Sequence, residues 1–381
     1  MERIYLDNNA TTPILPEVAE AMHACLLRGH ANPASQHEDG RRARRVLESA
    51  REAIGEILGA DVNSSNPDRL IFTSGGTESN NLALFGLCGQ ASGRLLYSSI
   101  EHPSVVEPAQ QIARGGRVLR EIRVTQDGVL DLNHLETLLS QPTRLVSVML
   151  GNNETGALQP VREAATLCRQ AGALMHTDAV QVVGKLPLTF RALGVDALSL
   201  TAHKFHGPKG IGALIVRAGV PVEPIMFGGF QQMGLRCGTE CVALAVGLQK
   251  ALEAWQSEAD ERAARMARLR VRLETALLQA VPGAVIHSAH AARLPHTTNI
   301  SFPGVDRQAL LIALDMAGLS CSTGSACASG SSEPSPVLAA MAVESGLIEG
   351  SIRLSLGATT TEDQIAEATH RISLAAEKLR R

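Results

Sequence analysis

The chain has 381 residues, of which 45% are hydrophobic and 19% are charged. This length and composition are typical of a globular, water-soluble protein with two or three folding units. The net charge of -3 argues against a nucleic-acid-binding surface, and the longest basic run, RRARR at residues 41–45, fits the solvated face of a helix. The first residues, MERIYLDNNATTP, contain no apolar segment of a signal peptide, and no apolar stretch is long enough to span a membrane.

Seven cysteines are scattered along the chain. Their odd number and irregular spacing do not indicate a disulfide framework and favour a reducing, cytoplasmic setting. Cys321 and Cys327 lie close together, but no second cysteine pair accompanies them, so the pattern argues against a structural metal site.

Strand and helix patterns alternate along the first part of the chain. Short apolar runs that predict strands occur at residues 69–72, 94–98, 145–150, 173–176, 195–200 and 211–216. Helical spacing is present at residues 38–58 and 161–170, among others. Repeated strand–helix units predict an α/β fold with a mostly parallel sheet covered by helices on both faces.

Polar side chains follow the predicted strands, at the edge of a parallel sheet where ligands bind. These residues are Thr77, His102, Asn153, Asp178, Gln181, His203 and Lys204. The sequence TSGGT at residues 73–77 joins a strand to a helix, a geometry that points backbone N–H groups at an anion. It is not a Walker A sequence, because no Gly-Lys-Ser/Thr follows.

A second, smaller unit is predicted towards the C-terminus. A long helical pattern over residues 241–281 is expected to leave the first unit and enter the second. A small α/β unit then follows from a strand at 297–302, a helix at 307–318 and a strand at 351–356. The small residues at 320–332 predict a mobile loop. At the other end of the chain, the polar, turn-rich residues 5–16 predict an arm outside the core.

Lys204 is the residue around which the predicted chemistry is organised. Only five residues are lysines, and this one follows a buried strand within TAHKFHGPKGIG, where a lysine can form a Schiff base. Together with Asp178 and an anion-binding turn it predicts a pyridoxal phosphate site, in which the carboxylate keeps the pyridinium nitrogen protonated. His102 can stack on the ring and move protons, and Gln181 and Asn153 offer hydrogen bonds to the phenolic oxygen.

Two residues of the second unit are candidates for substrate chemistry. Cys327 lies on the small-residue loop, where an exposed thiol suits a nucleophile that travels between substrate and acceptor. Arg353 interrupts an apolar strand pattern, and its guanidinium can bind a substrate carboxylate through two hydrogen bonds.

Nine segments, in this order and spacing, carry a resemblance to a known family: YLDNNATTP, TSGGTESNN, EHP, GNNETG, HTDAVQ, AHKFHGPKG, LRCGTE, STGSACASG and SIRLSLG. The chain resembles the cysteine desulfurases of the NifS/IscS type, which belong to the class V aminotransferases. The resemblance covers essentially the whole chain. It implies an aspartate-aminotransferase-like fold, with a large cofactor-binding domain at residues 14–256 and a small domain, made of residues 1–13 and 257–381, that carries the catalytic cysteine loop.

The resemblance also implies roles for individual residues. Lys204 is implied as the lysine that binds the cofactor, Cys327 as the persulfide-forming nucleophile, and His102 as the acid/base stacked on the ring. Arg353 and Asn32 are implied to bind the substrate carboxylate. The implied cofactor-binding residues are Gly76, Thr77, His102, Asn153, Asp178, Gln181, Thr201, His203, Lys204 and, from the second subunit of a homodimer, Thr239.

The implied reaction removes sulfur from L-cysteine and gives L-alanine and a persulfide on Cys327, which supplies sulfur for iron–sulfur cluster assembly or a related pathway. The implied partner is a sulfur-acceptor protein such as an iron–sulfur scaffold. No resident metal is expected, although Cys327 is a candidate transient iron–sulfur ligand.

Other functions stay open. Selenocysteine lysis and transamination would use the same fold and cofactor, and Cys327 counts against transamination. A non-catalytic sulfur-relay protein is a further alternative, against which the set of Lys204, Asp178 and His102 counts. The chain departs from the family pattern at Cys237, where serine is usual, at Cys321, and in a short C-terminal tail, which leans towards a NifS-like or simpler sulfur-supply enzyme.

Overall fold

The computed structural model describes residues 3–28, 31–324 and 333–380. Within these ranges the strands are β1 (Ile4–Tyr5), β2 (Arg69–Thr73), β3 (Arg94–Ser98), β4 (Leu119–Ile122), β5 (Thr143–Ser147), β6 (Leu174–Asp178), β7 (Ala197–Thr201), β8 (Gly212–Val216), β9 (Val285–Ile286), β10 (Thr297–Ser301), β11 (Leu319–Ser320) and β12 (Ser351–Ser355).

The helices of the described ranges connect and cover these strands. They are α1 (Pro16–Arg28), α2 (Glu38–Ile57), α3 (Gly76–Cys88), α4 (Pro103–Arg114), α5 (Leu132–Leu139), α6 (Val161–Gln170), α7 (Phe190–Leu193), α8 (Val242–Gln256), α9 (Ala259–Ala280), α10 (Arg307–Met316), α11 (Pro336–Ala340), α12 (Ser345–Glu349) and α13 (Glu362–Leu379). None of these helices is both long enough and apolar enough to cross a membrane.

A seven-stranded sheet in the order β2-β8-β7-β6-β5-β3-β4 forms the centre of the larger unit. Strand β8 is antiparallel to both of its neighbours, and the other pairs are parallel. One face packs against α2, α6 and α8 through a core that includes Leu47, Ile54 and Leu248, and the other face packs against α3 and α4. The predicted mostly parallel sheet with helices on both faces is therefore confirmed.

A smaller unit surrounds the antiparallel sheet β12-β10-β9. Its hydrophobic core joins α9, α10 and α13 and includes Leu273, Leu314 and Ile372. The capping box of Thr361 and Gln364 starts α13, because each side chain bonds to the backbone N–H of the other residue. Strand β1 pairs with β11, so the first residues of the chain pack with this unit. The domain boundaries at 13/14 and 256/257 stay a prediction.

The N-terminal segment, residues 7–12, differs from its prediction as an arm outside the core. Asn8, Asn9 and Thr12 are buried, and they lie between the two units. The polar composition of this segment predicts exposure, but its polar side chains form hydrogen bonds to both units. Buried polar groups are tolerated when they are paired in this way.

The predicted helix over residues 241–281 is also wrong, since two helices occupy this stretch. Helix α8 ends at Gln256 and α9 begins at Ala259, and Glu258 adopts a non-helical conformation between them. The sequence offers neither proline nor glycine at this break, so tertiary packing determines it: α8 packs in the core of the larger unit and α9 in that of the smaller one.

Candidate active site

A cavity of about 130 Å³ lies at the carboxyl ends of β6 and β7. Its lining includes His102, Asn153, Asp178, Gln181 and Lys204, all of which follow strands in the sequence. A shallower cleft of about 440 Å³ adjoins it and shares the lining residues Gly76, Thr77, Thr201 and His203. The parallel strand ends thus bring together polar residues that are far apart along the chain.

Lys204 ends a short 3₁₀ turn, residues 202–204, that directly follows β7. Its Nζ donates hydrogen bonds to the backbone carbonyls of Asn9 and Ala10. The Asn9 side chain is held in turn, because its Nδ2 donates to the Asn153 carbonyl at 3.0 Å and to Thr297 Oγ1 at 2.9 Å. The amino group of the lysine is therefore directed into the cavity region by the buried N-terminal segment.

Asp178 is the last residue of β6 and is buried at the cavity wall. Its Oδ2 accepts a hydrogen bond from Asn80 Nδ2 at 2.7 Å, and its Oδ1 accepts one from the Val180 N–H at 2.9 Å. Three residues later in the chain, Gln181 donates from Nε2 to the Asn9 carbonyl at 3.1 Å. Gln181 Oε1 is buried and has no hydrogen-bond partner among the described residues.

His102 caps the N-terminus of α4, and its Nδ1 accepts a hydrogen bond from the Ser104 N–H at 3.1 Å. Burial lowers its pKa from the ordinary histidine value; the charge of Asp178 opposes this change, and those of Lys204 and Arg353 add to it. A positive charge at the N-terminus of a helix is also unfavourable, because the helix dipole is positive there. The imidazole is therefore neutral near pH 7.

The N-terminus of α3 borders the adjoining cleft. Gly75 at the N-cap provides no side-chain hydrogen bond to the helix, so N–H groups of the first turn remain available to a ligand. A Cβ atom on Gly76 would lie 2.9 Å from Val180 Cγ2, which shows how closely the backbone approaches the strand end here. The side chains of Thr77 and His203 add polar groups to this anion-binding cleft; Thr201 also lines it, but its hydroxyl donates to the Ile211 carbonyl at 2.9 Å.

Arg353 lies in the centre of β12 and is only 1% exposed. Its Nη2 is 2.7 Å from Asp7 Oδ1, and its Nη1 donates to the Asn153 carbonyl at 3.1 Å. The Nε atom is buried without a partner within the described ranges. Arg353 itself lines neither the cavity nor the cleft, but its partner Asn153 lines the cavity, so the guanidinium lies one residue behind the cavity wall.

The model of the aminotransferase class-V family matches residues 4–367 of the chain. The chain belongs to the class-V aminotransferase family. A cysteine desulfurase of Trichormus azollae is 41% identical over 382 residues, which cover 100% of this chain and 94% of the relative. A cysteine desulfurase IscS of Dictyoglomus turgidum is 40% identical over 380 residues, covering 99% and 95%.

A solved structure supports the same family membership. The NifS-like protein of Rickettsia africae superposes with a TM-score of 0.90 at 34% identity, and the match covers 99% of this chain and 100% of that one. The resemblance to NifS/IscS-type cysteine desulfurases that the sequence motifs carry is thereby confirmed over the whole chain.

The class-V fold does not bring every residue with an implied role to the cavity. Asn32 and Thr239 are exposed and line neither the cavity nor the cleft. Asn32 instead accepts a hydrogen bond from the Ala34 N–H at 2.9 Å. Cys327, the implied nucleophile, and most of its loop lie outside the described residues.

Four residues at the site are absent from the set predicted by sequence: Asp7, Asn9, Asn80 and Ser104. Asp7 and Asn9 lie in the segment that the sequence predicts as an arm outside the core, and Asn80 lies in helix α3. A signal for the first two was present, since the polar run DNNATT carries a resemblance to the family. Asn80 likewise lies in TSGGTESNN, which carries the resemblance, whereas nothing in the local pattern identifies Ser104, because its partner Asn80 comes from another element.

Proposed function

We propose that this protein is a cysteine desulfurase that uses pyridoxal phosphate as its cofactor. It takes the sulfur of L-cysteine onto Cys327 and releases L-alanine. The observation that carries the proposal is the meeting of Lys204, Asp178 and His102 around one cavity beside an uncapped helix N-terminus. The relatives named cysteine desulfurase match this chain from end to end, which supports the same activity.

The residues at the cavity fit pyridoxal phosphate. The N-terminus of α3 has backbone donors for a phosphate, and Asp178 offers a buried carboxylate that can pair with a protonated pyridine nitrogen. In the proposed arrangement Lys204 holds the aldehyde carbon, Asp178 pairs with the pyridinium nitrogen, and Asn153 with Gln181 lies near the phenolic oxygen. When bound, the cofactor supplies an electron sink for bonds broken at the substrate's α-carbon.

The phosphate is proposed to bind at the adjoining cleft. Its ligands would be the backbone and side chains of Gly76 and Thr77, together with Thr201 and His203. Burial and the nearby charges of Lys204 and Lys209 lower the pKa of His203 to about 4, so this residue serves as a neutral hydrogen-bonding group.

Two residues are proposed to carry protons. When its amino group is free of the cofactor, Lys204 would be the base for the substrate's α-proton, since this group lies at the cavity and is oriented by the Asn9 and Ala10 carbonyls. His102, which follows β3 and lines the same cavity, is a neutral acid/base group. Arg353 binds the substrate carboxylate, and Asn32 is a further proposed ligand for that group.

Cys327 is proposed as the nucleophile on sequence and family grounds. Its thiolate attacks the substrate sulfur, so a sulfur–sulfur bond forms as the carbon–sulfur bond breaks, and the electron pair of that bond stays with the carbon that becomes the alanine methyl group after protonation. The neighbouring Cys321 is less suited to this role, because burial raises the pKa of its thiol to about 12.

A homodimer is proposed as the working unit. Phe227 and Phe230 are 84% and 85% exposed in this chain and lie shortly before the exposed Thr239, which is proposed to contact the phosphate of the partner subunit. Large exposed aromatic residues of this kind mark protein interfaces. A sulfur-acceptor protein, such as an iron–sulfur scaffold, is proposed to collect the persulfide in a reducing cytoplasm, where Cys327 could also ligate iron transiently.

The first experiment is to measure alanine and sulfide release from L-cysteine, with a reductant, by the purified protein and by Cys327→Ala. We expect equal yields of both products from the wild type and neither from Cys327→Ala. The matched control is Cys321→Ala, which removes a thiol six residues earlier in the sequence and should leave both yields intact. A yellow wild-type protein that makes no alanine from L-cysteine would overturn the proposed reaction while leaving the cofactor assignment in place.

A further inference from the structure

A chain of hydrogen bonds joins Asp178 to His102 through two residues that have no assigned role. Asn80 Nδ2 donates to Asp178 Oδ2 at 2.7 Å and to Ser104 Oγ at 2.8 Å. Ser104 Oγ lies 2.8 Å from His102 Nδ1, which also accepts from the Ser104 backbone N–H. Helices α3 and α4 pack side by side and so bring Asn80 and Ser104 together; these two side chains are here named the Asn80–Ser104 bridge.

Asp178 sets the orientation of the Asn80 amide, and the Ser104 backbone N–H sets the direction of the hydrogen bond between the Ser104 hydroxyl and His102. An ionised carboxylate only accepts hydrogen bonds, so Asn80 must turn its NH₂ group, not its oxygen, towards Asp178. The same NH₂ group then supplies its second hydrogen to Ser104 Oγ. The Ser104 backbone N–H already donates to His102 Nδ1, so this nitrogen is an acceptor, and the Ser104 hydroxyl, which accepts from Asn80, donates its own hydrogen to Nδ1.

This orientation of the Asn80 amide leaves its oxygen without a hydrogen bond to any described residue. Asn80 Oδ1 is buried and has no partner within the described residues. Rotating the amide by 180° would place this oxygen against the Asp178 carboxylate at the 2.7 Å now spanned by a hydrogen bond, which two acceptors cannot tolerate. The buried, unpaired oxygen is therefore the consequence of serving two acceptors with one NH₂ group.

We propose that Ser104 and Asn80 are positioning residues that hold His102 as the imidazole with its proton on Nε2. Nδ1 receives two donors, the hydroxyl and the backbone N–H of Ser104, and cannot carry a proton of its own without opposing both. The proton of the neutral ring is thus on Nε2. No described residue bonds to Nε2, so it is the nitrogen that the imidazole offers to the cavity.

For the reaction, this makes His102 a hydrogen-bond donor and acid through Nε2 in its resting state, an inference that rests on the proposed function. The charged groups that act on the ring are Asp178, Lys204 and Arg353. Asp178 favours protonation of the ring through space, whereas the same carboxylate, acting through the Asn80–Ser104 bridge, opposes a proton on Nδ1. Removing the bridge should therefore raise the pKa of His102.

The first test is made on the cofactor-free protein, so that it does not depend on the activity. Solid-state NMR of the protein with ¹⁵N-labelled histidine distinguishes a protonated from an unprotonated ring nitrogen, and a His102→Gln sample assigns the signals. In the wild type at pH 7 we expect Nδ1 to be unprotonated and Nε2 protonated. In Ser104→Ala, protonation of Nδ1 should begin at a pH higher by roughly half a unit to one unit, the effect of one lost hydrogen bond.

Two further variants make the test specific. Ser104→Thr keeps the hydroxyl and should restore the wild-type titration. Ser99→Ala removes another buried hydroxyl near the site that has no partner in the described ranges, and should leave the titration unchanged. A wild-type Nδ1 that is protonated at pH 7, or a Ser104→Ala titration identical to that of the wild type, would overturn the inference.

The second test uses the enzyme loaded with cofactor. The acid limb of the kcat profile for L-cysteine should move to higher pH by the same amount in Ser104→Ala, with little change in KM, and Ser104→Thr should return it. An acid limb that stays in place in Ser104→Ala would contradict the catalytic part of the inference. If the NMR results are as expected but no form of the protein releases alanine, the positioning role holds and the proposed function is wrong.

Discussion

At the scale of single residues, Arg353 shows how a buried charge is prepared to bind a ligand. Removing a guanidinium from water costs free energy, which ion pairs and hydrogen bonds must offset. Asp7 and the Asn153 carbonyl occupy two of its nitrogen atoms, and Nε is left without a partner in the described ranges. An arginine that is fixed in place and still has donor capacity is suited to bind a carboxylate.

We therefore expect Arg353→Lys to raise KM for L-cysteine by about 10- to 100-fold, the range of a hydrogen bond to a charged group. Lysine keeps the positive charge but cannot bond to Asp7, to Asn153 and to a substrate carboxylate in one fixed geometry. Steady-state kinetics over a range of L-cysteine concentrations measures this change separately from kcat.

Arg293→Lys is the matched control for this prediction. The Arg293 side chain is also buried and pairs with a carboxylate, since its Nη1 lies 2.8 Å from Glu274 Oε1, but Glu274 does not line the cavity, whereas Asn153, the partner of Arg353, does. Its substitution should leave KM unchanged. An unaltered KM in Arg353→Lys as well would show that the substrate carboxylate binds elsewhere.

The sequence predicts some of these residues and not others for a physical reason. Parallel strands end at a common edge of the sheet, so residues at or just after strand ends can be placed together from the sequence alone. Lys204, Asp178 and Gln181 are such residues. Asp7 and Asn9 come from a segment whose polar composition is typical of an exposed turn. Their burial depends on partners such as Arg353 and Thr297, which lie more than 280 residues away.

At the scale of elements, the anion-binding site at the start of α3 is defined by backbone geometry and not by side chains. Its N-cap is glycine, and Gly76 at the first helical position packs against Val180, close to the carboxyl end of β6. The sequence TSGGT predicts this arrangement, because glycines between a strand and a helix permit close backbone approach to an anion.

Gly76→Ala should weaken cofactor binding by about 10-fold or more, since an added methyl group that crowds a packed site costs roughly 1–3 kcal/mol. The new Cβ would meet Val180 Cγ2 at 2.9 Å and would also narrow the cleft. The affinity is measured by titrating cofactor-free protein with pyridoxal phosphate and recording the absorbance of the bound form.

Gly346→Ala provides the comparison, because a Cβ at that position would have no atom within 4 Å. It should bind the cofactor as the wild type does. Equal affinities for all three proteins would argue that the N-terminus of α3 does not contact the phosphate.

Element boundaries show the limit of sequence periodicity. The pattern predicts β3 and α6 with the bounds that the structure has, because turn residues or prolines flank them. It places one strand at residues 145–150, whereas β5 is Thr143–Ser147, because the buried residues beyond the strand are as apolar as the strand itself. Burial and strand pairing are separate properties, and only burial is visible in the sequence.

At the scale of the whole molecule, the N-terminal segment connects both units to the site. Asn9 bonds to Thr297 of the small sheet and through its carbonyl to Lys204 of the large unit. His206 adds a second connection: its Nδ1 donates to the Pro13 carbonyl at 2.8 Å, and its Nε2 accepts from the Ala358 N–H. Hydrogen bonds through this segment therefore link the small unit to Lys204, the proposed catalytic lysine.

His206 should make this connection sensitive to acid. Burial, with Lys185 and Arg262 nearby, lowers its pKa to about 4, below the ordinary 6.5 of the unfolded chain. The unfolded state thus binds more protons, so the stability that neutral His206 provides is present above pH 6.5 and is lost as the pH falls from 6.5 towards 4.

The wild type should therefore lose unfolding free energy between pH 7.5 and 5, and we expect His206→Asn to reduce this loss by roughly 1–3 kcal/mol. Asparagine tolerates the positive φ of 68° at this position and keeps a donor for the Pro13 carbonyl. Urea unfolding of cofactor-free protein at both pH values measures this difference. The control is His370→Asn, a substitution of an exposed histidine, which should lose as much unfolding free energy as the wild type. If His206→Asn also loses as much as the wild type, His206 is not the source of the acid sensitivity.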